Sequence, residues 1–85
     1  MKIMRMIIEV ITPGNGNTYE IVLDDKITVG MAKEKIIEQI TVFENSNIVF
    51  DKSAALFSPS VKARLPEYKN LRKAGVRSGK TVYLL

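Results

Sequence analysis

The chain has 85 residues, of which 46% are hydrophobic and 26% charged, a balance typical of a globular domain rather than a disordered segment. It has no cysteine and no histidine, which excludes disulfides, thiolate metal sites, thiol nucleophiles and the commonest general base. No apolar run approaches the roughly 18 residues of a membrane span. We therefore expect one domain over residues 1–85, in the cytoplasm, that is not an enzyme and has no cofactor or metal.

The net charge of +4 is unevenly distributed along the chain. Residues 1–50 hold five basic and seven acidic residues, whereas residues 51–85 hold eight basic and two acidic ones. Such a basic region can bind nucleic acid, acidic lipid or an acidic protein, or it can be a solvated surface. The nucleic-acid candidates are Lys62, Arg64, Lys69, Arg72, Lys73, Arg77 and Lys80. Because no recognised nucleic-acid motif accompanies them, nucleic-acid binding is only an alternative hypothesis.

The first 24 residues predict a β-hairpin. Apolar residues recur at every second position from Met4 to Val10 and again in the run YEIVL, which begins at Tyr19. Alternation of this period is typical of strands that bury one face. Residues 12–18 read TPGNGNT, and the proline, glycines and asparagines favour a reversal of the chain between the two strands.

The residues after the hairpin predict one amphipathic helix. Thr28 is a candidate N-cap, because its hydroxyl can accept a hydrogen bond from a free amide of the first turn. Gly30 is an unfavourable residue inside that turn. We expect the helix to end between Gln39 and Thr41. Its apolar stripe consists of Val29, Ala32, Ile36 and Ile40.

The second half of the chain predicts short strands separated by turns. Residues 44–47, ENSN, predict a turn, and residues 48–50, IVF, predict a short apolar strand. Residues 53–70 have no readable period, and their two prolines prevent long regular structure. Within them, residues 55–57 can add one short strand.

The last 15 residues contain a turn and a strand. Residues 71–75 predict one helical turn that Gly75 stops, and residues 81–85 predict a closing strand. Gly79-Lys80-Thr81 resembles the end of a phosphate-binding P-loop, but a working P-loop needs a following helix to help hold the phosphates. Only four residues follow Thr81, so we predict a turn there and no nucleotide cofactor.

The order of a β-hairpin, a helix and short strands resembles that of ubiquitin-like β-grasp proteins. The run LRKAGVRSGKTVYLL, residues 71–85, looks like the pattern that closes small bacterial ubiquitin-like proteins of the YukD/EsaB family. In that family the residues matching Leu71 and Val76 are buried beneath a turn, and the glycine matching Gly79 makes the turn before the last strand. The resemblance covers roughly residues 6–50 and 71–85. It implies an α+β fold with a mixed sheet of four to five strands on one central helix.

The resemblance also implies a function. YukD/EsaB proteins accompany bacterial type VII secretion systems as cytoplasmic accessory or regulatory parts, and related domains are fused to membrane proteins of that machinery. Ubiquitin and the related sulfur carriers end in Gly-Gly, whereas this sequence ends in Leu84-Leu85, so we expect no covalent conjugation. The implied function is non-enzymatic binding of a protein partner, with the membrane-bound secretion machinery as the candidate and no membrane insertion by the chain itself.

Strand alternation assigns residues to the two faces of such a sheet, one packed on the helix and one open. The face on the helix is predicted to comprise Met6, Ile8, Val10, Tyr19, Ile21, Leu23, Ile48, Val82 and Leu84. The open face is predicted to comprise Ile7, Glu9, Ile11, Glu20, Val22, Val49, Thr81, Tyr83 and Leu85. Six of these nine residues are apolar or aromatic, and an exposed apolar patch usually marks an interface.

The predicted protein-binding residues are the apolar members of the open face and two basic residues at its rim. They are Ile7, Ile11, Val22, Val49, Tyr83, Leu85, Arg77 and Lys80. Two alternatives to a partner are a homodimer through the same face and cover by residues 51–70. Two alternative functions also stay open, a small non-catalytic subunit of an enzyme complex and a basic nucleic-acid-binding domain.

Overall fold

One helix packs on one face of a mixed five-stranded sheet in the computed structural model, which describes residues 5–50 and 53–85. The elements in chain order are β1 (Arg5–Thr12), β2 (Asn17–Asp24), α1 (Val29–Phe43), β3 (Leu56–Ser58), β4 (Ala63–Arg64) and β5 (Thr81–Leu84). Their order across the sheet is β2-β1-β5-β3-β4. β1 and β5 are parallel, and the other neighbours are antiparallel. The predicted fold class is confirmed.

The N-terminal hairpin forms as predicted. β1 and β2 pair along their whole length, from Arg5 opposite Asp24 to Thr12 opposite Asn17. Gly16 has a φ of 71°, a conformation that glycine adopts readily, and its amide donates to the Thr12 carbonyl at 2.9 Å. The reversal therefore depends on the glycine and polar residues between the two alternating runs.

The helix begins at the predicted cap and ends at Phe43, two residues beyond the predicted limit. The Thr28 hydroxyl oxygen accepts a hydrogen bond from the Met31 amide at 3.2 Å. The Gly30 amide donates to the Glu67 carbonyl at 3.0 Å, and a Cβ at Gly30 would lie 3.3 Å from that oxygen. This close approach explains a glycine in the first turn, where helix propensity alone disfavours it.

The core lies between the helix and the inner face of the sheet. All four residues of the predicted apolar stripe of the helix are fully buried. The predicted inner residues of β1, β2 and β5 are buried as well, with at most 8% of their surface exposed. The buried apolar residues of these elements are Met6, Ile8, Val10, Tyr19, Ile21, Leu23, Val29, Ala32, Ile36, Ile40, Val82 and Leu84. Alternation and helical period therefore identified the central core correctly.

Residues 53–80 form more structure than the sequence predicted. β3 and β4 make a small antiparallel hairpin, and β3 pairs with β5. The predicted turn at residues 71–75 is present, with the Ala74 amide donating to the Asn70 carbonyl at 3.0 Å. Gly75, at a φ of 94°, ends it. The segment also buries Ala54, Leu56, Leu65, Leu71, Ala74 and Val76.

The strand predicted at residues 48–50 is wrong. These residues belong to no strand, although Ile48 and Phe50 pack partly buried against the core. β5 pairs with β3, where Leu56 lies opposite Leu84 and Phe57 opposite Tyr83. A run of three apolar residues is too short to distinguish a strand from a loop that packs against the core, and residues 48–50 form such a loop.

An open sheet face as the candidate binding site

The face of the sheet that the helix does not cover is called here the outer face. Its residues stand in four rows that the strand register defines, because residues directly opposite one another point to the same side. The rows are Asp24 and Arg5; then Val22 and Ile7; then Glu20, Glu9 and Thr81; then Thr18, Ile11, Tyr83, Phe57 and Arg64. The row with Glu20 and Glu9, called here the middle row, thus lies between two rows that carry apolar side chains, called here the apolar rows.

The two apolar rows leave large side chains in contact with water. Ile7 is 45% exposed and Val22 46% exposed. Ile11, Tyr83 and Phe57 are half-buried. Most strand residues of comparable size on the inner face are buried almost completely, so this apolar surface is uncovered within the part of the chain that the structure describes. Residues 53–85 do not cover it, because their strands extend the sheet instead.

Phe57 belongs to the outer face but was not among the predicted residues. Its neighbours Leu56 and Ser58 are buried, so the alternation of this short run did carry the signal. Assigning Phe57 to the face required knowing that β3 pairs with β5, which places it opposite Tyr83. That pairing joins residues far apart in sequence, and local patterning does not reveal it.

The middle row places two carboxylates side by side. Glu9 lies directly opposite Glu20 in the register of β1 and β2, and both side chains are exposed. The Thr81 hydroxyl donates to Glu9 Oε1 at 3.3 Å. Two like charges opposite each other on a sheet destabilise the free protein.

Two predicted sites, Arg77 and Lys80, lie at the end of the outer face near Ile7. The Gly79 amide donates to the Ile7 carbonyl at 2.7 Å, which holds the turn beside β1. Arg77 donates from Nη1 to the Arg72 carbonyl at 2.7 Å, so its guanidinium is bound to its own loop. Lys80 is exposed. Of the two, Lys80 is better placed to contact a partner.

Two other predicted sites, Val49 and Leu85, lie beyond the rows just described. Val49 is 92% exposed and outside the sheet, which corrects its predicted place on the sheet face. Leu85 continues β5 through backbone hydrogen bonds to Ala55, at 2.9 and 3.0 Å. Val49 and Leu85 instead line a groove of about 510 Å³, together with Ile48 and Phe50. The structure thus separates Val49 from the predicted face, whereas Leu85 lies where the outer face meets this groove.

The basic residues among residues 53–85 are exposed, and two of them are held by other groups of the fold. Arg72 Nη1 lies 3.6 Å from Asp25 Oδ2, and Arg77 is bound to backbone carbonyls. Lys33 Nζ lies 2.8 Å from Glu67 Oε1, and this hydrogen bond and attraction lower the pKa of the Glu67 carboxyl below its ordinary value. These contacts tie the segment to the rest of the fold.

The described residues, 5–50 and 53–85, hold no sign of a metal or nucleotide site. No group of three or more potential metal-ligating side chains occurs in them. At the P-loop-like run, the Gly79 and Lys80 amides donate to the Ile7 and Arg77 carbonyls, so neither is directed at a phosphate site. No helix in the same ranges is both long and apolar enough to cross a bilayer.

Comparison with protein families gives no match to any family model. Comparison with curated proteins gives no match either. Sequence similarity therefore assigns neither a family nor an activity to this chain, and the similarity that does exist is one of structure.

Several solved structures superpose on nearly the whole chain. The ubiquitin-like domain of Dsk2 from Plasmodium falciparum covers 95% of this chain and 96% of its own, at 18% identity and a TM-score of 0.74. The ubiquitin-like domain of EccD5 from Mycobacterium xenopi covers 96% of this chain and 93% of its own, at 12% identity and a TM-score of 0.74. A designed protein based on ubiquitin covers 95% of this chain and 87% of its own, at 18% identity and a TM-score of 0.72. Identities this low establish the fold alone, and the chain has the ubiquitin-like β-grasp fold.

Proposed function

We propose that residues 1–85 form one non-enzymatic, ubiquitin-like protein-binding module whose partner docks on the outer face. The observation that carries the proposal is the exposure of Ile7 and Val22 on one side of the middle row, with the half-buried row that contains Tyr83 on its other side. Burying this surface against another protein is favourable by about 25 cal/mol per Å² of apolar area. A solvent-exposed apolar patch of this kind is characteristic of interaction sites.

The chemistry of the face supports binding rather than catalysis. Glu9 and Glu20 lie on an open surface with no histidine or cysteine anywhere in the chain to act beside them. A general acid or base usually sits in a cleft where burial and neighbours adjust its pKa. Glu9 and Glu20 are exposed strand residues between apolar rows, and partly apolar surfaces are typical of protein interfaces.

The finer proposal is an accessory or regulatory role in a bacterial type VII secretion system, in the cytoplasm. Its support is the resemblance of residues 71–85 to the end of YukD/EsaB proteins, together with the fold shared with the EccD5 domain. Further support comes from three residues of this run: Leu71 and Val76 are buried, and Gly79 has a φ of 83° in the turn before β5.

The test is affinity capture of the tagged full chain from its native cells, followed by mass spectrometry. The outer-face variant Ile7→Lys/Val22→Glu places opposite charges at opposed positions, so the hairpin should still fold. The matched control is Met31→Lys/Val42→Glu, at exposed apolar positions of the helix. We expect a component of the secretion machinery to be captured by the wild type and the control, and at least tenfold less by the outer-face variant.

Two results would contradict different parts of the proposal. If the outer-face variant, shown to be folded by circular dichroism, retains the partner in full, the outer face is not the docking surface. If the wild type captures a defined partner that is unrelated to secretion and the variant loses it, the binding module stands and the secretion role fails.

A further inference from the structure

The middle row of the outer face indicates what kind of partner it fits. Opposed side chains in an antiparallel pair have their Cβ atoms about 4.5–5.5 Å apart, and Glu9 is directly opposite Glu20. Their carboxylates are therefore close enough for one cation to interact with both. This row lies between the two apolar rows, each about 7 Å away along the strands.

Within the part of the chain that the structure describes, no lysine or arginine forms an ion pair with this acidic pair. Among residues 5–50 and 53–85, the ion pairs within 4 Å join Lys33 to Glu67 and Arg72 to Asp25, and neither involves Glu9 or Glu20. The chain has 13 lysines and arginines, yet the neighbour that Glu9 does bond is the neutral hydroxyl of Thr81. The repulsion in the free protein is thus left for an external cation to relieve.

We infer that the outer face binds a protein segment presenting one lysine or arginine between apolar side chains, with the cation seated between Glu9 and Glu20. This inference rests on the proposed function and specifies the chemistry of the partner. The apolar side chains would pack on Ile7 and Val22 on one side, and on the row containing Tyr83 on the other. Packing there would exclude water around the charges, and attraction between charges strengthens as water is excluded.

Charge complementarity also selects against other occupants. A phosphate backbone or an acidic segment would meet two carboxylates in the centre of the face. A strongly basic segment would be repelled at long range by the net charge of +4. A segment with a single cation and apolar neighbours matches the middle row and the apolar side chains on either side of it.

The test uses a phage-displayed library of random peptides selected on the immobilised full chain. Peptides that bind should be enriched in one lysine or arginine flanked on both sides by apolar residues. Their affinity should fall by about tenfold or more in Glu9→Gln/Glu20→Gln, as expected when a desolvated charge pair is lost. The matched control is Glu34→Gln/Glu38→Gln, which removes two exposed carboxylates from the helix. It should bind the same peptides as the wild type does.

The outcomes separate this inference from the proposed function. Apolar peptides without a basic residue that lose binding in Ile7→Lys/Val22→Glu would overturn the inference and leave the function standing. Basic peptides that bind all variants equally would overturn both. A selection that yields no binding peptide would also overturn the inference, because no occupant of this chemistry would then exist. A wild-type dimer seen by sedimentation and abolished in Glu9→Gln/Glu20→Gln would overturn it as well, because the occupant would then be a second copy of the chain.

Discussion

The N-terminal hairpin and the segment formed by residues 53–80 contribute to the same core by different means. In the hairpin, every second residue is apolar, and the two strands pair with each other over eight residues each. In the segment, the longest strand has three residues, and buried side chains such as Leu65 and Leu71 lie outside its strands. The hairpin is organised by local pattern, and the segment is organised by what it packs against.

The segment obtains much of its order from the start of the helix. The amides of Val29 and Gly30 donate to the Lys69 and Glu67 carbonyls, at 2.8 and 3.0 Å. The Leu71 amide donates to the Ile27 carbonyl at 3.0 Å. The amides of the first helical turn have no carbonyl partner within their own helix. The bonds from Val29 and Gly30 therefore satisfy these amides and also two carbonyls of the segment. Short pieces without regular structure can thus be fixed by long-range backbone bonds.

The largest expected effect is a loss of stability on truncating a buried side chain. It tests whether residues 53–80 contribute to the core as much as the hairpin does. Leu71→Ala should destabilise the domain by about 2–5 kcal/mol, as should Ile21→Ala, because both side chains are fully buried. Urea denaturation followed by circular dichroism gives the free energy of unfolding. Tyr68→Ala, at an exposed position of the segment, is the control and should change it by less than about 0.5 kcal/mol. A small cost for Leu71→Ala alone would show that the segment is peripheral.

The second-largest expected effect is the loss of stability when a glycine in a turn of the segment is replaced, compared with a glycine in the hairpin loop. Gly75→Ala should cost roughly 1–3 kcal/mol, because its φ of 94° disfavours a side chain and the new Cβ would lie 3.0 Å from Val61 Cγ2. Gly14→Ala in the hairpin loop is the matched control, since a Cβ added there would have nothing within 4 Å and its φ is outside the left-handed region. Equal melting temperatures for the two variants would contradict this account.

A smaller effect of opposite sign is expected in the hairpin. Glu20→Gln removes the like charge opposite Glu9, so the free energy of unfolding should rise by about 0.2–1 kcal/mol. The gain should shrink in 1 M salt, where screening over about 3 Å weakens the repulsion in the wild type. A gain that does not depend on salt would show that the cause is not the charge.

The weakest effect is the pH dependence of the contact between the segment and the helix. Lys33 lowers the pKa of Glu67 in the folded state, so the contact stabilises the domain when the carboxylate is ionised in both states. This contribution is present above the ordinary pKa of about 4.5 and is lost as the pH falls through the lower folded value. Glu67→Gln should therefore lower the urea midpoint slightly at pH 7 and leave it unchanged at pH 2. An equal shift at both pH values would contradict an ionic origin.

Much of the outer face, the candidate binding site, could be predicted from the sequence. Alternation along a strand assigns each residue to one face of the sheet even when the neighbouring strands are unknown. Ile7, Ile11, Val22 and Tyr83 all lie on the outer face as predicted. Val49 does not, because its strand was inferred from three apolar residues, and such a run also occurs in a loop that packs partly against a core. Phe57 was missed because its place on the face depends on pairing with β5.

The hairpin, the capped helix, the closing strand and the identity of the central core all follow from the sequence alone. Each of these depends on periodicity or on residues close in sequence, such as Thr28 and the amide three residues later. Tertiary structure was needed to establish which strand lies beside β5, how residues 53–80 are ordered and which residues complete the outer face. Those features depend on hydrogen bonds and packing between residues distant in sequence. An unpaired strand edge can bond to any strand in a suitable register, so the sequence of one strand does not determine its neighbour.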